Sequence, residues 1–185
     1  MPERIDYKFL SEREGGSKTI GYVPAAGVSK SGVTIATGFD LGARNEEDLK
    51  KLGLSILLMN KLKPYLGKKK KDAQDSLIKS PLTISAAQAQ EIDKAVKKQH
   101  IVTVKRKYNL AVGTKKKFDD LPGEAQTVIA SVSFQYGSGL DTATPAFWKA
   151  AISQDWKEVI KVLNNFHDAY PTRRKLEAGL LGKIK

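Results

Sequence analysis

Cysteine is absent from the 185 residues, which removes disulfides and all thiolate chemistry. Histidine is scarce: only His100 and His167 occur, far apart in the chain, which argues against a zinc site built on His and Cys ligands. The expectation is therefore no metal and no cofactor. Long apolar runs are also missing. The densest, Leu52 to Leu58 with Met59, is flanked by lysines and falls well short of the roughly 20 residues of a membrane span. The N-terminal stretch MPERIDYKFLSEREGG mixes both charges and has no apolar h-region, so no secretion signal is visible and synthesis in a cytoplasm is expected. Acidic residues are the minority charge: 20 Asp and Glu against 32 Lys and Arg give a net +12. That excess suits an anionic partner, whether nucleic acid, lipid or cell wall, without choosing among them.

What is present reads as a folded chain, 41% hydrophobic and long enough for one compact domain or two small lobes sharing a core. Ile5 and Phe9 lie one turn apart, with Tyr7 and Leu10 beside them, so a first helix is expected over 5–14, ending at Gly15-Gly16. TIGYV (19–23) and GVTIATG (32–38) are β-branched and separated by turn residues, which predicts a small antiparallel sheet. From Asn45 on the chain reads as helix. Asn45 is an N-cap followed by Glu46, Glu47 and Asp48, and Gly53 is a stop. Ser85 to Gln88 has the form of a capping box, with Ile84 and Ala89 as its staple. Further helices are expected after Pro122, at Thr144-Pro145, after Asp155 and at Pro171. This gives an α+β domain over 1–185, with a helix and sheet lobe in 1–44 and a helical lobe in 45–185.

One more absence points to chemistry. No Asp or Glu occurs in the twenty-five residues between Glu14 and Asp40, so two isolated carboxylates bracket the expected sheet. A carboxyl at a helix C-terminus has its pKa raised by the exposed carbonyls, and a raised pKa is what a general acid needs near neutral pH. Glu14 would occupy that position; Glu12 is the alternative. Both also read as ordinary solvated acids, as Asp40 reads as a turn acid before Gly42 and Thr34 and Thr37 as strand residues. Thr34 and Asp40 share parity, yet six residues of straight strand span about 20 Å. To act together they require the chain to fold back, and Gly38 is the residue that allows it cheaply.

EREGG followed by GVTIATGFDLG resembles the catalytic region of phage-type lysozymes, especially their pesticin-like branch of bacteriocin and phage muramidases. AQTVIASVSFQYG resembles their core helix ending in an aromatic-Gln-x-Gly turn, QDWKEVIKVL their later Trp-bearing helix, and YPTRRKLEAGLL their closing Pro-x-x-Arg segment. The matches occur in order, and 43–117 is the weakest part. The resemblance implies a lysozyme-like fold with a cleft between the lobes. It also implies cleavage of the bond between N-acetylmuramic acid and N-acetylglucosamine. By the family's Glu-Gly pattern Glu14 matches the general acid, and Thr34 matches the threonine that holds water. Ordinary phage lysozymes place their Asp between the Glu and the Thr. The order Glu, Thr, Asp is that of the pesticin-like branch, with Asp40 as the match; Thr37 stays open if the register differs.

The expected mechanism is inverting hydrolysis, with Glu14 protonating the leaving oxygen and Asp40 and Thr34 positioning water. Gln135 and Tyr136 of the FQYG turn are candidate substrate contacts, Tyr136 reading equally as core; Trp148 and Trp156 read as core. The expected partner is peptidoglycan, approached through the basic surface by a monomer made in a host cytoplasm and acting on the periplasmic wall. The expected setting is a phage endolysin, with a bacteriocin or effector domain as the alternative. A lytic transglycosylase would keep the fold and change the product. A nucleic-acid-binding protein is the competing class, but the lysine runs KKKK (68–71) and KKK (115–117) lack interleaved aromatics.

Overall fold

The computed structural model describes residues 3–13, 16–24 and 31–184. The first helix, α1 (Tyr7–Ser11), is shorter than its apolar spacing suggests. The Asp6 carboxylate accepts from the Phe9 N–H, which fixes the start after Ile5, and the turn closes at Glu12. Glu14 and Gly15, the expected acid and part of the expected C-cap, lie outside the described residues.

The strands are β1 (Lys18–Tyr22), β2 (Thr34–Ala36) and β3 (Phe39–Asp40), in sheet order β1-β2-β3 and antiparallel throughout. Thr34 pairs with Asp40 and Ile35 with Phe39, so the chain does reverse between them. Gly38 takes a left-handed φ of 80°, but it shares the work with Ala36, which turns left-handed at φ 51° despite its Cβ. The apolar side chains of Val33, Ile35, Phe39 and Leu41 all enter the core, so this short hairpin is anchored by burial rather than by a long ladder.

Helices follow: α2 (Glu46–Leu52), α3 (Ile56–Leu62), α4 (Lys70–Lys79), α5 (Ala86–Ala111), α6 (Gly123–Tyr136), α7 (Leu140–Ala143), α8 (Pro145–Ser153), α9 (Trp156–Asn164) and α10 (Pro171–Leu181). The local signals are realised in their hydrogen bonds. Asn45 and Asp48 exchange a reciprocal capping box, and Gly53 ends α2 at φ 71°. Ser85 and Gln88 do the same at the start of α5, with Ile84 and Ala89 both buried. Asp155 caps α9 by accepting from the Glu158 N–H. Ser55 and Thr144 stand at helix starts without capping: Ser55 donates to the Glu91 carboxylate, and the Thr144 hydroxyl turns back to the Leu140 carbonyl. The KKKK run opens α4, with Lys69 at its N-cap.

The chain divides into two compact units. One runs from Gly15 to Gln99, so the sheet shares its core with α2 to α4 and the first part of α5. The other joins the N-terminal helix to everything from His100 onward, around α6. The division thus falls at 14 and 99 rather than at 44, because Leu49, Leu58, Leu62 and Ile92 bury their side chains against the strands' apolar face. Trp148 and Trp156 pack on the core of the α6 unit, as their helical phase implies.

Two glycines hold the base of the hairpin. A Cβ on Gly42 would lie 2.6 Å from both the Gly32 Cα and the Lys68 carbonyl oxygen, and one on Gly32 would meet the Lys68 carbonyl oxygen and the Gly42 backbone more closely still. Backbone cannot swing aside as a side chain can. We expect Gly42→Ala to cost roughly 1–3 kcal/mol, read as a lower midpoint in chemical denaturation.

Candidate active site

The hairpin puts Thr34 and Asp40 directly across from one another, at a Cβ separation of about 5 Å for cross-strand partners. Gly32 links them. Its N–H donates to Asp40 Oδ1 at 3.0 Å, and its carbonyl accepts from the Thr34 hydroxyl at 3.3 Å. Asp40 Oδ1 also accepts from the Gly42 N–H at 2.8 Å. One carboxylate oxygen is thus held by two backbone donors, and among the described residues no hydrogen bond engages Oδ2. Thr34 is buried while Asp40 is half-exposed. A fixed carboxylate with an oxygen that no described residue engages, beside a hydroxyl, can orient a water molecule and take its proton.

The other threonine, Thr37, has a different engagement. Its N–H and hydroxyl both donate to the Asp93 carboxylate, at 3.0 and 2.9 Å. The alternative acid, Glu12, is exposed and lies 3.6 Å from Arg13. Sequence reasoning missed Asp93 because it lies on a helix 56 residues beyond Thr37. It also missed Gly32 as the shared partner of Thr34 and Asp40.

In the α6 unit, Gln135 and Tyr136 are tied into a polar network. Arg174, only 2% exposed, donates to Gln135 Oε1, to Asp168 Oδ2 at 2.9 Å and to Glu177, which is fully buried. Arg173 reaches Glu177 Oε1 at 3.2 Å and the Ser131 carbonyl at 2.9 Å, and the Ser131 hydroxyl donates to Glu177. The Tyr136 hydroxyl donates to Asp168 at 2.8 Å, and its ring packs on Phe166. The Pro-x-x-Arg segment of the sequence ends in Arg174, but nothing in it showed which groups the arginine would join.

The charges of this network bear on pH. Burial pushes the Asp168 carboxyl up, but the Tyr136 hydroxyl, the Tyr170 N–H and the Arg174 guanidinium outweigh it and hold it below the usual carboxylate range. A depressed carboxyl contributes its stability in full above its unfolded pKa of about 4. That contribution is lost as pH falls through the lower folded value. Urea midpoints should therefore decline on acidification below about pH 4, and Asp168→Asn should flatten that decline.

A small antiparallel sheet on a helical body, with a Thr and an Asp facing across one tight hairpin, defines an α+β protein of lysozyme-like fold. Residues 4–157 match the model of the pesticin family, described as a bacterial toxin homologue of phage lysozyme, C-terminal. The match spans most of the chain, and the protein belongs to this family. No curated protein matches it. Membership makes it a glycoside hydrolase of the muramidase type, a peptidoglycan-degrading toxin or lysozyme.

Proposed function

We propose that the protein hydrolyses the β-1,4 bond between N-acetylmuramic acid and N-acetylglucosamine with inversion. Glu14 acts as general acid, and Asp40 with Thr34 holds and activates the water. The observation that carries this reading is the cross-strand pairing of Thr34 with Asp40, whose carboxylate is held at one oxygen by two glycine N–H groups. Water attacks while Glu14 gives its proton to the leaving oxygen, Asp40 accepts a proton from the water, and the new hydroxyl forms on the opposite face of the sugar.

Gln135 and Tyr136 serve as substrate contacts in this proposal. A guanidinium has donors and no acceptor, so Arg174 fixes the Gln135 amide with its oxygen inward. The Gln135 NH2 is then left as a donor suited to an acetamido carbonyl. Tyr136 has its hydroxyl proton engaged by Asp168 and its ring packed on Phe166, so its contact with substrate would be through the ring edge or the hydroxyl oxygen.

The test is digestion of purified peptidoglycan. Products carrying a free reducing end, formed first as the α-anomer in a proton NMR time course, support inverting hydrolysis. A β-anomer overturns inversion, and anhydro products would make the enzyme a transglycosylase. For the biological setting we propose a phage endolysin. Co-expression with a holin should lyse the host, whereas killing of intact cells by protein added outside would favour a bacteriocin.

A further inference from the structure

We propose that Asp93 is a positioning residue for the reaction, an inference that rests on the muramidase reading above. It holds the tip of the hairpin so that Thr34 and Asp40 keep their places.

The hairpin is short. β2 has three residues and β3 two, and the β1–β2 register breaks between the Lys18–Ala36 and Tyr22–Thr34 pairs. A ladder of this length, interrupted on one side, fixes its own geometry weakly. The reversal also runs through two left-handed residues, Ala36 and Gly38, of which Ala36 resists that conformation. Thr37 sits between them at the apex.

Asp93 supplies what the ladder lacks. Oδ1 takes the Thr37 N–H at 3.0 Å, while Oδ2 takes the Thr37 hydroxyl at 2.9 Å and the Ser17 hydroxyl at 2.7 Å. Both oxygens are used, and three donors from two segments converge on one carboxylate. Ser17 immediately precedes β1, whose Lys18 pairs with Ala36. The tip and the start of the neighbouring strand are therefore clasped at the same end of the sheet, beside the point where the register shifts. The helix that carries the carboxylate is itself anchored, because the adjacent Ile92 is fully buried in the core shared with the strands. Charge-assisted bonds of this kind are stronger than neutral ones. Asp93 makes no bond to Thr34 or Asp40 and acts on them only through the hairpin.

Asp93→Ala removes all three bonds. Displacing reacting groups by about 1 Å costs on the order of 100-fold in rate. We expect kcat on purified peptidoglycan to fall about 10- to 100-fold with KM nearly unchanged, measured on folded protein well below its melting temperature. Asp93→Asn should restore most of the rate. Its Oδ1 still accepts the Thr37 N–H, and its NH2 can donate to hydroxyls that rotate to accept. If the Ala variant does not fold, the double replacement Ser17→Ala and Thr37→Val deletes both hydroxyl donors and should lower kcat in the same way. A folded Asp93→Ala with wild-type kcat overturns this inference alone, as does a loss that falls on KM and spares kcat. An inactive wild type overturns the muramidase reading and this inference with it.

Discussion

Asp40→Asn is expected to lower kcat on purified peptidoglycan by about 10²–10⁴-fold, the range for removing a general acid or base, while leaving the fold intact. The choice of Asn follows from the geometry. Asp40 Oδ1 accepts from the Gly32 and Gly42 N–H groups, and the Asn amide oxygen can accept the same pair, so only the charge and the second acceptor are lost. Asp40→Ala would also leave two backbone donors without their partner at the base of the hairpin, mixing a structural loss with a chemical one. Glu14→Gln should fall in the same range. If Asp40→Asn kept wild-type activity, Asp40 would be a turn acid serving Gly32 and Gly42, and the proposed site would lose its base. Circular dichroism melts on the same samples check that the fold survives.

The largest stability effect is expected from Arg174→Met. The guanidinium is almost wholly buried, and its partner Glu177 is fully so. Removing one member of a buried ion pair strands the other's charge, which costs about 3–5 kcal/mol. For a domain of this size, each kcal/mol moves the melting temperature by roughly 2–4 °C, so a drop on the order of 10 °C is expected in calorimetry. Arg173 and the Ser131 hydroxyl still reach Glu177 and hold the loss within that range. Replacing Glu177 together with Arg174 by apolar residues should recover part of it, because the fully buried carboxylate is then gone, although Asp168 and Arg173 each lose a partner. Gln135 also loses its fixed amide orientation in Arg174→Met. If Gln135 contacts substrate as proposed, KM should rise in the surviving folded protein.

The sequence predicted best the features made by residues close along the chain. The Asn45–Asp48 and Ser85–Gln88 boxes and the Asp155 cap each join residues three apart, and side-chain chemistry decides them before any tertiary contact forms. Prediction was weaker where burial competes with local preference. Ala36 is a poor left-handed residue, yet it takes that conformation because Ile35 and Phe39 on either side of the turn are buried as a pair. The first helix starts later than its apolar spacing suggests because the Asp6 carboxylate caps the Phe9 N–H.

The sequence alone excluded disulfides and thiolate chemistry, since cysteine is absent. It also determined that Asp40 could join Thr34 only if the chain reversed between them, because strand rise and side-chain parity are properties of the backbone itself. The tertiary structure decided what holds that reversal in place. Asp93 reaches Thr37 from a helix 56 residues away, and Arg174 reaches Gln135 across 39. No spacing rule joins such pairs; they meet only because the apolar faces of separate elements were buried together and their polar edges had to find partners.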